Sequence, residues 1–447
     1  MRKFTIIAVA ILLIMTNSYA QFSTESDIRL RSEIGTTNSR AVRNRRVDMR
    51  YRPFFSYRLN EHLSFSTVLE IGDVGFGNVP EGGALGTDER IVELKHLYME
   101  ITPPDFNIFD EHNITLGLQA YKDLHGLVFD DDVAGILYEG KIKDLEFGAG
   151  WFVPYDYGEL LYGSETYSAG ETVFSLDLSY DLKFGELELK PGFNNFLSFS
   201  NDYIDYGPND SRQISTTGYW MSPYVTGRFR DLNFESQFVY QRHQVQEERL
   251  LNDQGPSVTP YSGFSAVAYS FKAGYKILED LSTKMNILVK SGAPNRHKGG
   301  YEGYASYFDT ELEVINPSRY SNGIYTYDPM SIDSHQFGYY GVFIPSLIID
   351  YLLLDRKISV IDKIGLTGFF GMALSLEPVQ NERRTEESKI FGVEYGFRSN
   401  IHIMEHLEVI PFFAMFHVGE AYLYGKLEDY TIQRNQFKLG TTLRVSF

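Results

Sequence analysis

The chain has 447 residues and a formal net charge of −18, with no cysteine and an aromatic share of 15% carried almost wholly by 32 Tyr and 33 Phe. The missing cysteine excludes disulfides, thiolate metal sites, cysteine nucleophiles and a lipoprotein anchor. The acidic balance argues against a nucleic-acid partner, and a mean hydropathy of −0.24 is too low for a helical membrane protein.

Residues 1–20 read as a signal peptide. Arg2 and Lys3 form a positive start, residues 4–15 an apolar run, and Ser18-Tyr19-Ala20 a small-x-small cleavage site. Residues 21–447 are then one mature domain outside the cytoplasm. The longest later apolar stretch, 343–354, is interrupted by Pro345, Ser346, Asp350 and Tyr351, so no transmembrane helix is expected. A soluble periplasmic β-protein and a transmembrane β-barrel remain.

Strand-like runs begin at 28–34 and 47–58. In the second, Val47, Met49, Tyr51, Pro53, Phe55 and Tyr57 alternate with Asp48, Arg50, Arg52, Ser56 and Arg58, the period-two pattern of an extended chain. A tight turn at Leu59-Asn60-Glu61-His62 leads into 63–71. The rhythm then repeats as hairpins: 91–102 with 114–120, 132–142 with 145–155, 173–180 with 186–197, 218–229 with 232–241, 264–275 with 281–290, 336–352 with 361–376, and 389–399 with 407–418. A last strand, 437–447, ends on Phe447, as does the closing strand that the outer-membrane assembly machinery reads in bacterial barrels.

Short turns and long connections alternate strictly. The short ones share a degenerate signature: Glu61-His62-Leu63, Lys143-Asp144-Leu145, Arg230-Asp231-Leu232, Glu279-Asp280-Leu281 and Glu405-His406-Leu407. Outer-membrane barrels have short periplasmic turns and long outer loops, whereas a soluble sandwich has no reason to sort its loops by length. The expected fold is all-β: a transmembrane antiparallel up-and-down barrel of about eighteen strands, sixteen being the neighbouring even count. A closed sheet follows from the demand that every backbone polar group in lipid be paired. A ring of that size encloses a lumen too wide for side chains alone to fill. Outward positions are expected to be apolar and inward ones polar. The connection 291–335 is the expected candidate for an infolded constriction.

His402-Ile403-Met404-Glu405-His406 matches an inverted zinc-protease pattern, but that chemistry needs both histidines on one helical face. Here the residues fall in a turn, so no metal, cofactor or enzymatic role is expected. Arg29, Arg31, Arg50 and Arg52 share inward parity on neighbouring strands, which lie about 5 Å apart. They form a candidate anion guide, because guanidinium pairs with carboxylate or phosphate in a planar, bidentate way. The opposing reading is a structural network neutralised by Asp48, Glu33 and Glu70, the last on the same wall. Lys284 and Lys290, with Lys438 and Arg444 on the last strand, add further inward cations. The loop cluster Arg40, Arg43, Arg45 and Arg46 is either a contact for lipopolysaccharide phosphates or a solvated loop.

Three segments carry a family resemblance: Leu94-Lys95-His96-Leu97-Tyr98-Met99-Glu100, then Leu116-Gly117-Leu118-Gln119, then Asp131-Asp132-Val133-Ala134-Gly135. In this order they resemble the basic-x-x-Tyr-x-Glu, Gly-x-Gln and Asp-Gly strand patterns of the alginate-export family of outer-membrane porins. A further echo is Ser291-Gly292 with Pro294, His297, Lys298, Gly300 and Tyr301. Lys95 replaces the family's arginine, and Ala120 follows Gln119 where a charged residue is usual. The resemblance implies an eighteen-stranded monomeric barrel in the lipid bilayer, with Lys95, Tyr98, Glu100 and Gln119 lining the pore. The implied function is passive diffusion of small hydrophilic or anionic solutes, including oligosaccharides. A pore-closed surface scaffold or adhesin is the alternative.

Overall fold

The computed structural model describes residues 21–36, 43–75, 92–104, 108–153, 166–168, 172–205, 211–251, 257–292, 341–356, 358, 360–380, 387–421 and 435–447. The expected signal peptide, and the 291–335 connection from residue 293 onward, lie outside the described residues.

All the strand pairings are antiparallel, and outside the short pieces β8 to β10 each strand pairs with its neighbours in sequence. The order begins β1 (Gln21–Thr36), β2 (Arg43–Asn60), β3 (Leu63–Gly75), β4 (Val92–Ile101), β5 (Glu111–Lys122), β6 (Asp130–Ile142) and β7 (Leu145–Val153). Three short pieces follow, β8 (Thr166–Ser168), β9 (Thr172–Tyr180) and β10 (Leu182–Phe184), and all three pair with β11 (Leu187–Asp205). They are segments of one interrupted strand. The ring continues through β12 (Ser211–Phe229), β13 (Leu232–Leu251), β14 (Ser257–Lys276), β15 (Leu281–Lys290) and β16 (Val342–Leu354). It finishes with β17 (Lys363–Gln380), β18 (Glu387–Met404), β19 (Leu407–Val418) and β20 (Asn435–Ser446). Twenty segments thus make eighteen strands, and β20 pairs with β1 to close the ring. The seam is tied at its end: Ser26 N donates to Phe447 O at 2.7 Å and Phe447 N to Ser26 O at 3.0 Å.

The tight turns explain how neighbouring strands reverse. Lys143 and Arg230 both take positive φ, 54° and 53°, the backbone that two-residue hairpin turns require. Each precedes an Asp in the repeated turn signature. His402–His406 covers the end of β18 and its turn, not a helix, and His402 Nε2 instead approaches Glu408 Oε1 at 3.6 Å.

Outward positions carry an apolar belt. Phe174, Leu176 and Leu178 on β9, Leu347, Ile349 and Leu353 on β16, and Phe370 and Phe397 on β17 and β18 are exposed large hydrophobics. A soluble sheet would not leave so much contiguous apolar surface in water. Among the described strands, the closed ring leaves no strand unpaired as a sheet edge for lipid to meet.

The inward face differs from the uniformly polar wall that alternation suggests. Near the turns it is polar, with Lys190, Tyr224, Glu235, Lys284, Asp350 and Arg444 at inward parity. Further toward the long connections, inward positions from β6 to β19 become apolar and buried: Val133, Phe152, Phe196, Trp220, Val239, Ile344 and Phe416 among them. Parity fixes which side a residue faces, but not whether that side is wet.

Candidate functional site

The segment after β5 enters the lumen. Asp123 accepts hydrogen bonds from its own loop at Leu127 N (3.1 Å), Val128 N (3.0 Å) and Phe129 N (2.6 Å). It also accepts one from Gln237 Nε2 on β13 at 2.5 Å. Gln237 Oε1 in turn accepts from His125 N at 2.8 Å, and His125 Nε2 lies 3.0 Å from Glu235 Oε2. β13 is six steps round the ring from β5, so these contacts cross the interior. Leu127, Val128 and Phe129 are fully buried, packed in one cluster with Phe152, Phe196, Trp220 and Val239. Tyr121 closes the cluster, its ring 4.5 Å from that of Phe152 and 5.5 Å from that of Phe129. Burial pushes the Asp123 carboxyl up from its ordinary value, against the pull of its four donors.

Sequence reading took 121–131 as an ordinary outer connection and missed this constriction. The signal was compositional: Leu124, Leu127, Val128 and Phe129 stand in a loop position where the other long connections are polar.

The predicted arginines gather on one wall. Register sets Arg444, Arg29 and Arg50 directly side by side across β20, β1 and β2. Three like charges abreast require carboxylates, and these are interleaved. Arg31 donates to Asp48 from Nε at 3.0 Å and from the terminal amine at 2.8 Å, while Arg29 lies 3.8 Å from the same carboxyl. Asp27 lies between Arg50 (3.9 Å) and Arg444 (3.5 Å), and Arg52 pairs with Glu70. Five arginines thus meet three carboxylates, an excess of two positive charges. Adding the inward Lys438, Glu33 and Glu408, the last in register beside Arg444, leaves an excess of one.

The other predicted residues scatter. Tyr98 and Glu100 continue the wall on β4, and Glu100 accepts from Ser64 Oγ at 2.9 Å. Gln119 is buried opposite Val133. Lys95, beside the register shift between β3 and β4, is held with His96 by Asp132, at 2.7 and 2.8 Å. Lys284 pairs with Asp350 at 2.9 Å, and Lys290 is buried on β15, away from the arginine strip. Of the loop cluster, Arg40 and the side chains of Arg43, Arg45 and Arg46 lie outside the described residues.

A cavity of about 630 Å³ runs along the inner wall of β5, β6, β7 and β9 below Tyr121. Lys141 (2.9 Å) and Lys190 both engage Glu146, and Tyr224 donates its hydroxyl to Asp177 Oδ1 at 3.0 Å.

No protein-family model matches the chain, and no curated sequence matches it significantly. Solved structures do. Pseudomonas aeruginosa OccK9 (OpdG) aligns over 96% of this chain and 98% of its own at 10% identity, with a TM-score of 0.51. P. aeruginosa OccK5 (OpdH) covers 95% and 98% at 11% identity, with a TM-score of 0.48. At such identities the likeness concerns architecture alone. That architecture, a closed antiparallel ring of eighteen strands with an apolar outer belt, is the fold of the outer-membrane porins, built to span a bacterial outer membrane.

Proposed function

We propose that the chain is a passive outer-membrane diffusion channel for small hydrophilic solutes, with a preference for anions set by the arginine strip. The observation that carries this reading is the polar inner wall near the turns, where Arg444, Arg29 and Arg50 stand abreast with an excess of positive charge. Interleaved carboxylates make the strip a sequence of short steps for an anion rather than a deep trap. Binding must be weak enough for the solute to leave. The finer reading, oligosaccharides among the solutes, draws on the resemblance of the strand motifs around Tyr98 and Gln119, and it does not extend to alginate itself. A monomer completes the proposal.

Planar-bilayer conductance under a salt gradient tests it. The expected result is a pore whose reversal potential lies on the anion side and moves toward the cation side in Arg50→Ala with Arg52→Ala. A protein without conductance defeats the channel; a pore with unchanged selectivity in the double variant defeats the arginine assignment. The second reading, a pore-closed scaffold, is favoured by the packed cluster around Leu127–Phe129, and absence of conductance is its expected result.

A further inference from the structure

The hairpin that carries Leu127–Phe129 into the lumen is loosely joined to the wall. β5 and β6 pair with each other without a break, from Glu111↔Lys141 to Lys122↔Asp130. β4 and β5 pair only from Ile101↔Ile114 to Leu97↔Leu118, although β4 runs on to Val92 and β5 to Lys122. Among the described residues, the ladder between β6 and β7 ends at Ala134↔Val153. Leu118 and Ala134 are themselves cross-strand partners. Both flanking ladders thus stop at one level. Beyond it, residues 119–133 form an arm whose backbone pairing, among the described residues, is with itself.

Next to that level, Gly117 faces Gly135. Gly117 has a φ of +128°, a backbone that other residues rarely adopt, and the Trp151 carbonyl oxygen lies 2.2 Å from where a Cβ on Gly135 would sit. Glycine on both strands at one level leaves no side chains to interlock there, and lets the sheet bend. The arm itself is stiff. At its tip Asp123 N donates to Phe129 O and Gly126 N to Asp123 O, each at 3.0 Å. Lys122 pairs with Asp130 where the tip meets the strands. The moorings are side chains. Gln237 and Glu235 hold Asp123 and His125 at the tip. Lys95 and His96 of β4 hold Asp132 at the base, crossing β5 where Asp132's partner is the small Ala120.

A body that swings on a few residues keeps its internal bonds and changes only its outer contacts. Here a second set of outer contacts is at hand. The facing stretches 92–96 and 119–122 have no backbone pairing with each other, and unpaired backbone groups are costly beside lipid. Continuing the register past Leu97↔Leu118 would zip them together and set Lys95 beside Ala120.

We infer that the arm 119–133 is a lid on the lumen, turning as one body about Gly117 and Gly135 between two positions: docked on β13, as in this structure, and zipped along β4. It rests on the channel reading only for the effect of that motion on conductance, because the motion can be measured without conduction.

The chain has no cysteine, so introduced thiols are specific. Spin labels are placed on the full-length protein in detergent at Leu124→Cys with Phe238→Cys and, separately, at Ala120→Cys with Phe238→Cys, and distances are read by pulsed EPR. Leu124 lies in the tip, Ala120 near the base, and Phe238 on the outer face of β13. In Gln237→Ala, which removes two moorings, the longer-distance population should rise about tenfold or more for both pairs. Lengthening from Leu124 alone means that the tip unravels by itself and overturns the lid, as does no lengthening in either pair. A second variant leaves Gln237 in place: Lys95→Cys with Ala120→Cys should form a disulfide on oxidation that traps the zipped position and opens 123–129 to protease, and reduction should reverse both. Failure to form it, or a disulfide that leaves the tip protected, overturns the lid. In a bilayer, a trapped protein with a cleavable tip but no conductance keeps the lid and removes the channel. Conductance with the tip still protected does the reverse.

Discussion

Asp123→Ala tests whether the infolded segment is held by one carboxyl. The side chain terminates three backbone N–H groups, those of Leu127, Val128 and Phe129, and anchors them to Gln237. All three residues are fully buried. Each buried donor left unpaired costs about 1–3 kcal/mol, so the variant loses roughly 3–9 kcal/mol. Opposing this, burying one Leu, one Val and one Phe side chain gives about 1.5–3 kcal/mol each, or roughly 5–9 kcal/mol. The two sums are of the same size, so the segment leaves its docked position for a substantial part of the time while the barrel ladder stays intact. Conductance should rise and become noisier, and a protease should cut within 123–129 in the variant but not in the parent. Asp123→Asn, which keeps the acceptor facing Val128 and Phe129 but sets an amide against Gln237, should fall between. If Asp123→Ala matches the parent in both conductance and cleavage, the apolar contacts alone hold the segment and the reasoning is wrong.

The same carboxyl gives a pH dependence. Burial raises its folded-state pKa, so its contribution to docking is complete below the ordinary carboxylate value of about 4 and is lost as pH rises through the raised value. Channel noise should therefore increase with pH, most cleanly in His125→Gln, which removes the neighbouring contact to Glu235; a flat profile there counts against it. Asp48→Ala removes the carboxyl that Arg31, itself 2% exposed, meets at 2.8 Å, and should cost about 3–5 kcal/mol in a guanidinium unfolding titration. Gly117→Ala places a Cβ 2.3 Å from Leu97 O at a φ of +128° and should cost about 1–3 kcal/mol from backbone strain, seen as faster amide exchange across β4 and β5. Leu176→Arg on the outward face of β9 should cost about 2–4 kcal/mol if it lies near the bilayer midplane, measured by unfolding from lipid vesicles.

The barrel was largely legible because its signal is periodic and repeated. Alternation such as Val47 to Tyr57 against Asp48 to Arg58 fixes strand and face together, and the turn signature marks where each hairpin reverses. The adjacency of Arg29 and Arg50 followed from one local hairpin. That Arg444 also lands opposite Arg29 depends on the closing register, which joins residues at the two ends of the chain. The infolded segment was harder still. Asp123 and Gln237 are 114 residues apart, and nothing local in either predicts the other. The carboxylates of the arginine strip were present in the sequence, with Asp48 and Glu70 as expected partners, but the place of Asp27 between Arg50 and Arg444, and the weighing of pairing against guidance, required distances.

The apolar stretch of inner wall bears on how a solute would pass. Val133, Phe152, Phe196, Trp220 and Val239 face inward yet are buried against Leu127–Phe129, so that part of the cross-section holds no water. An apolar wall gives a hydrated ion nothing in exchange for its shell. Passage is therefore confined to the parts of the lumen this cluster leaves open. The strip across β20, β1 and β2 lies outside the cluster, and its arginines are paired without being sealed: Arg444 is 47% exposed. The segment 123–129 thus does more than narrow the lumen. By filling the side on which Asp123 is anchored, it determines which wall a solute meets, and that is why its release in Asp123→Ala should alter selectivity as well as conductance.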